Sequence, residues 1–213
     1  FKLAALAVAD SASEDARLAG AANTLSFEGG RIEARNTDGI GLVRDIEVNL
    51  GLPLAGRRVL LLGAGGATRG AVRPIARAGA ARIVIANRTA DKAEALAAEL
   101  APHLGGVPLV GCGLAALGTQ GAFDVVINAT SASLDGQAPA VPAGAFAPGA
   151  LAYDMVYGKG LTPFLRLARQ AGCARLADGV GMLVEQAAEA FAAWRGVRPD
   201  TREALARLTV PLA

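Results

Sequence analysis

The sequence predicts an α/β fold: a doubly wound parallel sheet with helices on both faces, accompanied by a partial second α/β domain. Three observations carry that prediction. Short apolar runs alternate with amphipathic helical stretches from residue 59 to residue 181. The first run, residues 59–62, ends in a glycine cluster that opens a helical pattern. The composition is 53% hydrophobic but only 4% aromatic, so the core must be built from Ala, Val, Leu and Ile.

The elements follow in order. Residues 3–19 are rich in helix formers, with Leu3, Leu6, Val8 and Ala9 apolar, and Ser11 to Ser13 can cap a second short helix. Residues 23–27 and 31–34 read as strands around Glu28-Gly29-Gly30, a hairpin signal. Thr37-Asp38 can cap a helix over 39–50, with Ile40, Val43, Ile46 and Leu50 on one face. Gly51-Leu52-Pro53 stops it. After the strand at 59–62, a helix runs through Val72, Ile75 and Ala76 to Gly79. A strand at 82–86, an alanine-rich helix at 90–100 and short strands at 107–110, 125–128 and 151–154 come next. Residues 162–171 and 182–194 are helical by period, and Pro199-Asp200-Thr201 opens a last helix to Leu208.

Charge and cysteine usage exclude several classes. Twenty-one basic against 19 acidic side chains leave a formal +2 with no long like-charge run, so neither a nucleic-acid tract nor a membrane-surface patch is expected. No apolar stretch approaches the roughly 18 residues of a membrane span. Cys112 and Cys173 have no metal-ligand spacing and are expected as free, buried thiols in a reducing, cytoplasmic setting. His103, the only histidine, is expected at the surface, so no histidine acid–base pair is available. Phe1 is not a start methionine and no secretory signal follows it, so the chain is expected to open inside a longer one or after a removed segment.

The loop Gly63-Ala64-Gly65-Gly66-Ala67-Thr68 lies between a strand and a helix, the setting a dinucleotide fingerprint requires. Gly63 allows the tight turn, Gly65 lets the main chain approach a pyrophosphate, and the helix N-terminus offers free N–H groups. Thr68 replaces the third glycine of the pattern. At the tip of the second strand stand Asn87-Arg88-Thr89, with Lys92 one turn on and no carboxylate. A guanidinium there suits a 2′-phosphate, which favours NADP over NAD.

Polar clusters outside this loop are each weak signals alone. Taken in order, Asn23-Thr24, Asn36-Thr37-Asp38-Gly39, the glycine loop, Asn87-Arg88-Thr89, Asn128-Ala129-Thr130, Tyr153-Asp154-Met155 and Asp178-Gly179-Val180-Gly181-Met182-Leu183 resemble the shikimate dehydrogenase family over nearly the whole chain. That resemblance implies reversible, NADP(H)-dependent reduction of 3-dehydroshikimate to shikimate in aromatic amino-acid biosynthesis. It implies a Rossmann-type NADP domain over residues 39–181. Residues 1–38 would be part of the substrate-binding domain, and residues 182–213 helices returning to it. Lys2 would be the catalytic lysine and Asp38 its carboxylate partner; Asn23, Tyr157 and Gln186 would join them in holding substrate. Gly63, Ala64, Gly65, Gly66, Ala67, Asn87, Arg88, Thr89 and Lys92 would hold the cofactor, with Met155 and Gly179 near the nicotinamide. Glu14 falls where the family sometimes shows a cofactor-side contact.

The residue types suit the chemistry. Hydride addition to a ketone builds negative charge on oxygen, and a lysine beside it supplies both a cation and a proton. Neutral Asn, Tyr and Gln suit a polyhydroxylated acid. The sequence departs from the family in lacking a Ser-x-Ser carboxylate-binding motif, expected ahead of Phe1, and in the loop Ala132-Ser133-Leu134-Asp135-Gly136. Were these residues the whole molecule, apolar surface between Leu3 and Phe27 should be exposed, and NADP should bind far better than substrate, with little turnover. Two alternatives stay open: a quinate/shikimate dehydrogenase of relaxed specificity, and a non-catalytic NADP-binding module. A monomer or homodimer is expected, with no metal site.

Overall fold

A computed structural model of the chain describes residues 1–132, 136–158 and 160–212. The loop departure at Ser133 to Asp135 therefore lies outside the described residues. The N-terminal part comprises α1 (Lys2–Ala7), β1 (Ser11–Ala12), α2 (Glu14–Ala19), β2 (Thr24–Glu28) and β3 (Arg31–Arg35). Ser13 caps α2 by accepting from the Ala16 N–H at 3.2 Å, as its position before two acidic residues predicts. β2 and β3 form the expected hairpin, and the two-residue β1 adds in parallel to β3. So short a strand carries no periodic signal; it exists because β3 offers an edge.

Next come α3 (Asp38–Arg44), β4 (Arg58–Leu62), α4 (Gly66–Arg77), β5 (Arg82–Asn87), α5 (Ala90–Leu100), β6 (Leu109–Gly113) and β7 (Phe123–Asn128). They are followed by β8 (Phe146–Asp154), α6 (Pro163–Gln170), β9 (Arg175–Asp178), α7 (Val180–Arg195) and α8 (Arg202–Leu208). Strands β4 to β9 form one parallel six-stranded sheet in the order β6-β5-β4-β7-β8-β9, the Rossmann order. Its strands are buried on both faces. Val59, Leu61, Ile83, Ile85, Val125 and Ile127 pack on one side, and Leu60, Leu62, Val84 and Val126 on the other.

Besides β1, and β8, which starts five residues before the expected 151–154, three elements differ from expectation. The helix expected over 39–50 is α-helical only to Arg44 and widens into a π-helical turn, Asp45–Asn49, closed by the Leu50 N–H on the Asp45 carbonyl at 2.9 Å. The strand expected at 107–110 runs instead from Leu109 to Gly113, because pairing with β5 from Ile83 to Asn87 sets its register. β9 was not expected at all. Its Arg-Leu-Ala-Asp sequence has no apolar run, and β8 templates it at the sheet edge. His103 is exposed, and Cys112 and Cys173 are buried free thiols whose burial pushes their pKa values up. Among the described residues no helix is long and apolar enough to cross a membrane.

Candidate active site

β4 and β7 are neighbours at the centre of the sheet, and the chain leaves them toward opposite edges. Ligands of such sheets bind outside the carboxyl ends of the strands at this switch point. The glycine loop after β4 lies there. Gly63 turns the chain at φ 101°, a conformation that disfavours any side chain. Thr68 replaces a glycine without loss, because its buried hydroxyl donates to the Gly63 carbonyl at 2.7 Å and closes the loop. Among the described residues no side chain caps α4, and ideal Cβ positions on Gly65 and Gly66 meet nothing within 4 Å. The loop is thus an open cradle of backbone N–H donors, which fits a diphosphate.

Two cavities meet at this loop. The first, of about 840 Å³, is lined by Gly63, Ala64 and Gly65 together with Asn87, Arg88, Thr89 and Lys92 from the end of β5. Among the described residues no carboxylate lines it. Arg88 and Lys92 are both exposed, and the Asn87 amide donates to the Thr89 carbonyl at 3.0 Å, shaping the turn that presents Arg88. The second cavity, of about 730 Å³, holds Lys2, Asn23, Asp38, Tyr157 and Gln186, and it also takes in Gly66, Ala67, Met155 and Gly179. Every expected site residue except Glu14 therefore falls into one of two adjoining spaces, Met155 and Gly179 in the second.

The second cavity carries a connected polar network. The Lys2 ammonium donates to one Asp38 oxygen at 2.6 Å, and the Asn23 amide donates to the other at 2.9 Å. The same Asn23 amide reaches Thr37 Oγ1 at 2.9 Å and Gln186 Oε1 at 3.2 Å. Gln186 in turn donates to the Leu183 carbonyl at 2.9 Å. Asn36 holds the turn from beneath, donating to the Ala21 carbonyl and accepting from the Asp38 N–H. Lys2 remains about half exposed, while Asp38 is 22% exposed at its side chain. Tyr157 stands at the rim. Met182 and Leu183, which line the wall, were not expected; they share a face of α7 with Gln186 at helical spacing. Glu14 lines neither cavity. It pairs with Arg73 of α4, beside the Asp15–Arg73 ion pair, because α2 packs against α4.

Buried carboxylates brace the site. Asp45 accepts from the Tyr153 hydroxyl at 2.7 Å and from Asn49 at 2.9 Å. Burial pushes the Asp45 carboxyl up, and burial with Asp45 beside it raises Tyr153 well above the usual phenol range. Tyr153 thus stays a proton donor. Glu185, 1% exposed, receives Arg198, Asn49, Thr201 and Arg44. Burial alone would raise it, but hydrogen bonds from Asn49, Thr201 and Arg198 outweigh that and hold it low. Asn128 and Asp154 end adjacent strands and are joined at 3.0 Å, with Thr162 donating to Asp154 at 2.5 Å. Among the described residues no group of His, Cys, Asp and Glu is placed to hold a metal.

A doubly wound sheet, a glycine cradle at its switch point and a lysine–carboxylate pair across the adjoining cavity define a dinucleotide-dependent oxidoreductase. The model of the shikimate/quinate 5-dehydrogenase family matches residues 46–135, and that of the shikimate 5′-dehydrogenase C-terminal domain matches residues 179–208. The shikimate dehydrogenase (NADP(+)) of Dechloromonas aromatica is 57% identical over 215 residues, covering 100% of this chain and 76% of its own. An Ael1 enzyme from Pseudomonas putida superposes with a TM-score of 0.93 at 61% identity, over 100% of this chain and 77% of its own. Shikimate 5-dehydrogenase from Thermus thermophilus, solved with NADP(H) and shikimate, superposes with a TM-score of 0.80 at 35% identity, over 98% and 76%. The chain belongs to the shikimate dehydrogenase family.

Proposed function

We propose that this chain catalyses the reversible, NADP-dependent reduction of 3-dehydroshikimate to shikimate, with Lys2 and Asp38 as the catalytic pair. The observation that carries this reading is the Lys2–Asp38 contact of 2.6 Å inside a cavity that shares the glycine loop with the first cavity, which presents Arg88 and Lys92 and has no carboxylate among its described lining residues. Gly63 to Ala67 would hold the diphosphate, and Arg88, with Asn87, Thr89 and Lys92, the 2′-phosphate. The bound cofactor supplies or accepts the hydride.

The chain's own groups do the rest. Lys2 donates a proton to the carbonyl oxygen as negative charge develops there, and takes it back in the oxidative direction. Asp38 orients the ammonium and offsets its charge. Asn23, held by Asp38, Thr37 and Gln186, faces the substrate hydroxyls with its geometry already set. Tyr157 and Gln186 complete the polar lining. Met155, Met182 and Leu183 form an apolar wall that limits water beside the reacting carbon. Within this reading residues 1–38 belong to the substrate-binding part, residues 39–181 to the NADP domain and residues 182–213 to the returning helices, in a cytoplasmic monomer or homodimer.

Full-length protein mixed with shikimate and NADP should generate reduced-nicotinamide absorbance. Asp38→Ala should abolish most of it while leaving NADP affinity unchanged by fluorescence titration. Full turnover in Asp38→Ala would sink the assignment of the pair.

A further inference from the structure

α7 supplies Gly179, Met182, Leu183 and Gln186 to the second cavity, so the placement of its first turn sets the shape of that wall. Helix first turns carry N–H groups without intrahelical partners, which a side chain of the N-cap residue usually satisfies. The N-cap here is Gly179, which has no side chain to give. Two other groups, one adjacent in the chain and one distant, serve instead. Asp178 accepts from the Val180 N–H at 3.2 Å, and the Tyr153 hydroxyl accepts from the Met182 N–H at 3.2 Å. That hydroxyl donates its own proton to Asp45 at 2.7 Å.

The contact is tightly built. Tyr153 is fully buried within β8, two residues before Met155 of the cavity lining, and Asp45 is 3% exposed. Asp45 opens the π-helical turn that interrupts the helix begun at α3, which swings its carboxyl inward beneath α7. Gly181 is required at the crossing: an ideal Cβ there would lie 1.9 Å from Asp45 Oδ1. Three elements, β8, the α3 extension and α7, therefore converge on one phenol oxygen. The Asn49 amide holds the other Asp45 oxygen at 2.9 Å, so the carboxyl has no free rotation.

We propose that Tyr153 and Asp45 are positioning residues for substrate: a tertiary N-cap that holds the first turn of α7, and through it Met182, Leu183 and Gln186, against the reacting cavity. The proposal rests on the function assigned above, because it places the consequence on shikimate rather than on NADP. The chain of contacts runs from Asp45 through Tyr153 to the Met182 amide, and then along one helix face to Gln186 and its bond with Asn23. Arg88 and Lys92 stand outside it.

Three variants of the full-length protein test the idea. Tyr153→Phe removes only the hydroxyl; KM for shikimate should rise about five- to tenfold with KM for NADP within about twofold of wild type. Hydrogen exchange at the Met182 amide should accelerate about tenfold in the same variant. Asp45→Ala should move both readouts the same way by about threefold, and Asp45→Asn, which keeps an acceptor for the phenol, should restore them to within about twofold. If Tyr153→Phe does not fold, the Asp45 pair decides. Unchanged Met182 exchange, or an equal rise in both KM values, overturns the proposal. Wild-type protein inactive on shikimate would instead sink the assigned reaction, since the exchange measurement needs no turnover.

Discussion

The two cavities that share the glycine loop are assembled in different ways. The one presenting Arg88 draws its positive groups and its cradle from the ends of two adjacent strands, β4 and β5, each followed directly by its helix. Its other neighbour draws on Lys2, Asn23, Asp38, Tyr157 and Gln186, which the chain separates by up to 184 positions. The first cavity is a property of local turns on a rigid sheet. The second exists only when α1, the β2–β3 hairpin, α3 and α7 are all docked, and its hydrogen bonds span that docking. Substitutions should therefore have separable consequences: cofactor choice on one side, turnover and substrate affinity on the other.

The sharpest way to break that separation is Lys2→Ala. Loss of the proposed proton donor should lower kcat by about 10²–10⁴-fold while the NADP dissociation constant stays unchanged; a matching loss of NADP affinity would show that the cavities are not independent. Arg88→Asp should act in the opposite sense. It should weaken NADP by about 10- to 100-fold and leave NAD within about threefold, read by titration with each cofactor. An equal effect on both cofactors would remove the 2′-phosphate contact. Gly181→Ala forces a methyl group onto Asp45 and should cost about 1–3 kcal/mol in denaturant unfolding, with substrate KM rising more than cofactor KM.

The smallest effects concern pH, and the buried carboxylates behind the second cavity should show them with opposite signs. Glu185 is held below its ordinary value of 4.5, so its contribution to stability is present above that pH and disappears as pH falls through the folded value. Asp45 is raised above 3.8, so its contribution is present below that pH and is lost as pH rises through the folded value. Below pH 4.5, Tm of wild type should therefore fall faster than that of Glu185→Gln, by about 2–4 °C. Asp45→Asn should flatten the loss on the rising side. Parallel profiles for wild type and Glu185→Gln would remove the stabilising role of the Glu185 charge.

The difference between the cavities also explains what could be read before folding. Gly63 to Ala67 and Asn87 to Lys92 announce themselves because each motif lies where a strand pattern hands over to a helix pattern, and the turn itself is the proposed site. Lys2, Asn23, Asp38, Tyr157 and Gln186 were named through family resemblance, not through spacing, since no local period links them. Met182 and Leu183 were missed although they sit four and three residues before Gln186, a helical spacing that would have found them once Gln186 was placed. Asp45 and Glu185 left no signal, and Tyr153, although part of a cluster that carried the family resemblance, gave no sign of its partner. In sequence, a polar residue amid an apolar helix or strand looks the same whether water or a distant partner satisfies it.

Taken alone, the order of apolar runs and glycine turns determined the doubly wound sheet, its phosphate loop and the basic end of β5, because these depend on propensity and on contacts within one βα unit. Tertiary structure alone decided the register of β6, the existence of β1 and β9, the π-helical turn at Asp45 and the first turn of α7. Those features are set by partners from elsewhere in the chain: a strand edge to pair with, a buried phenol to satisfy, and a carboxyl group that needs the space left by Gly181.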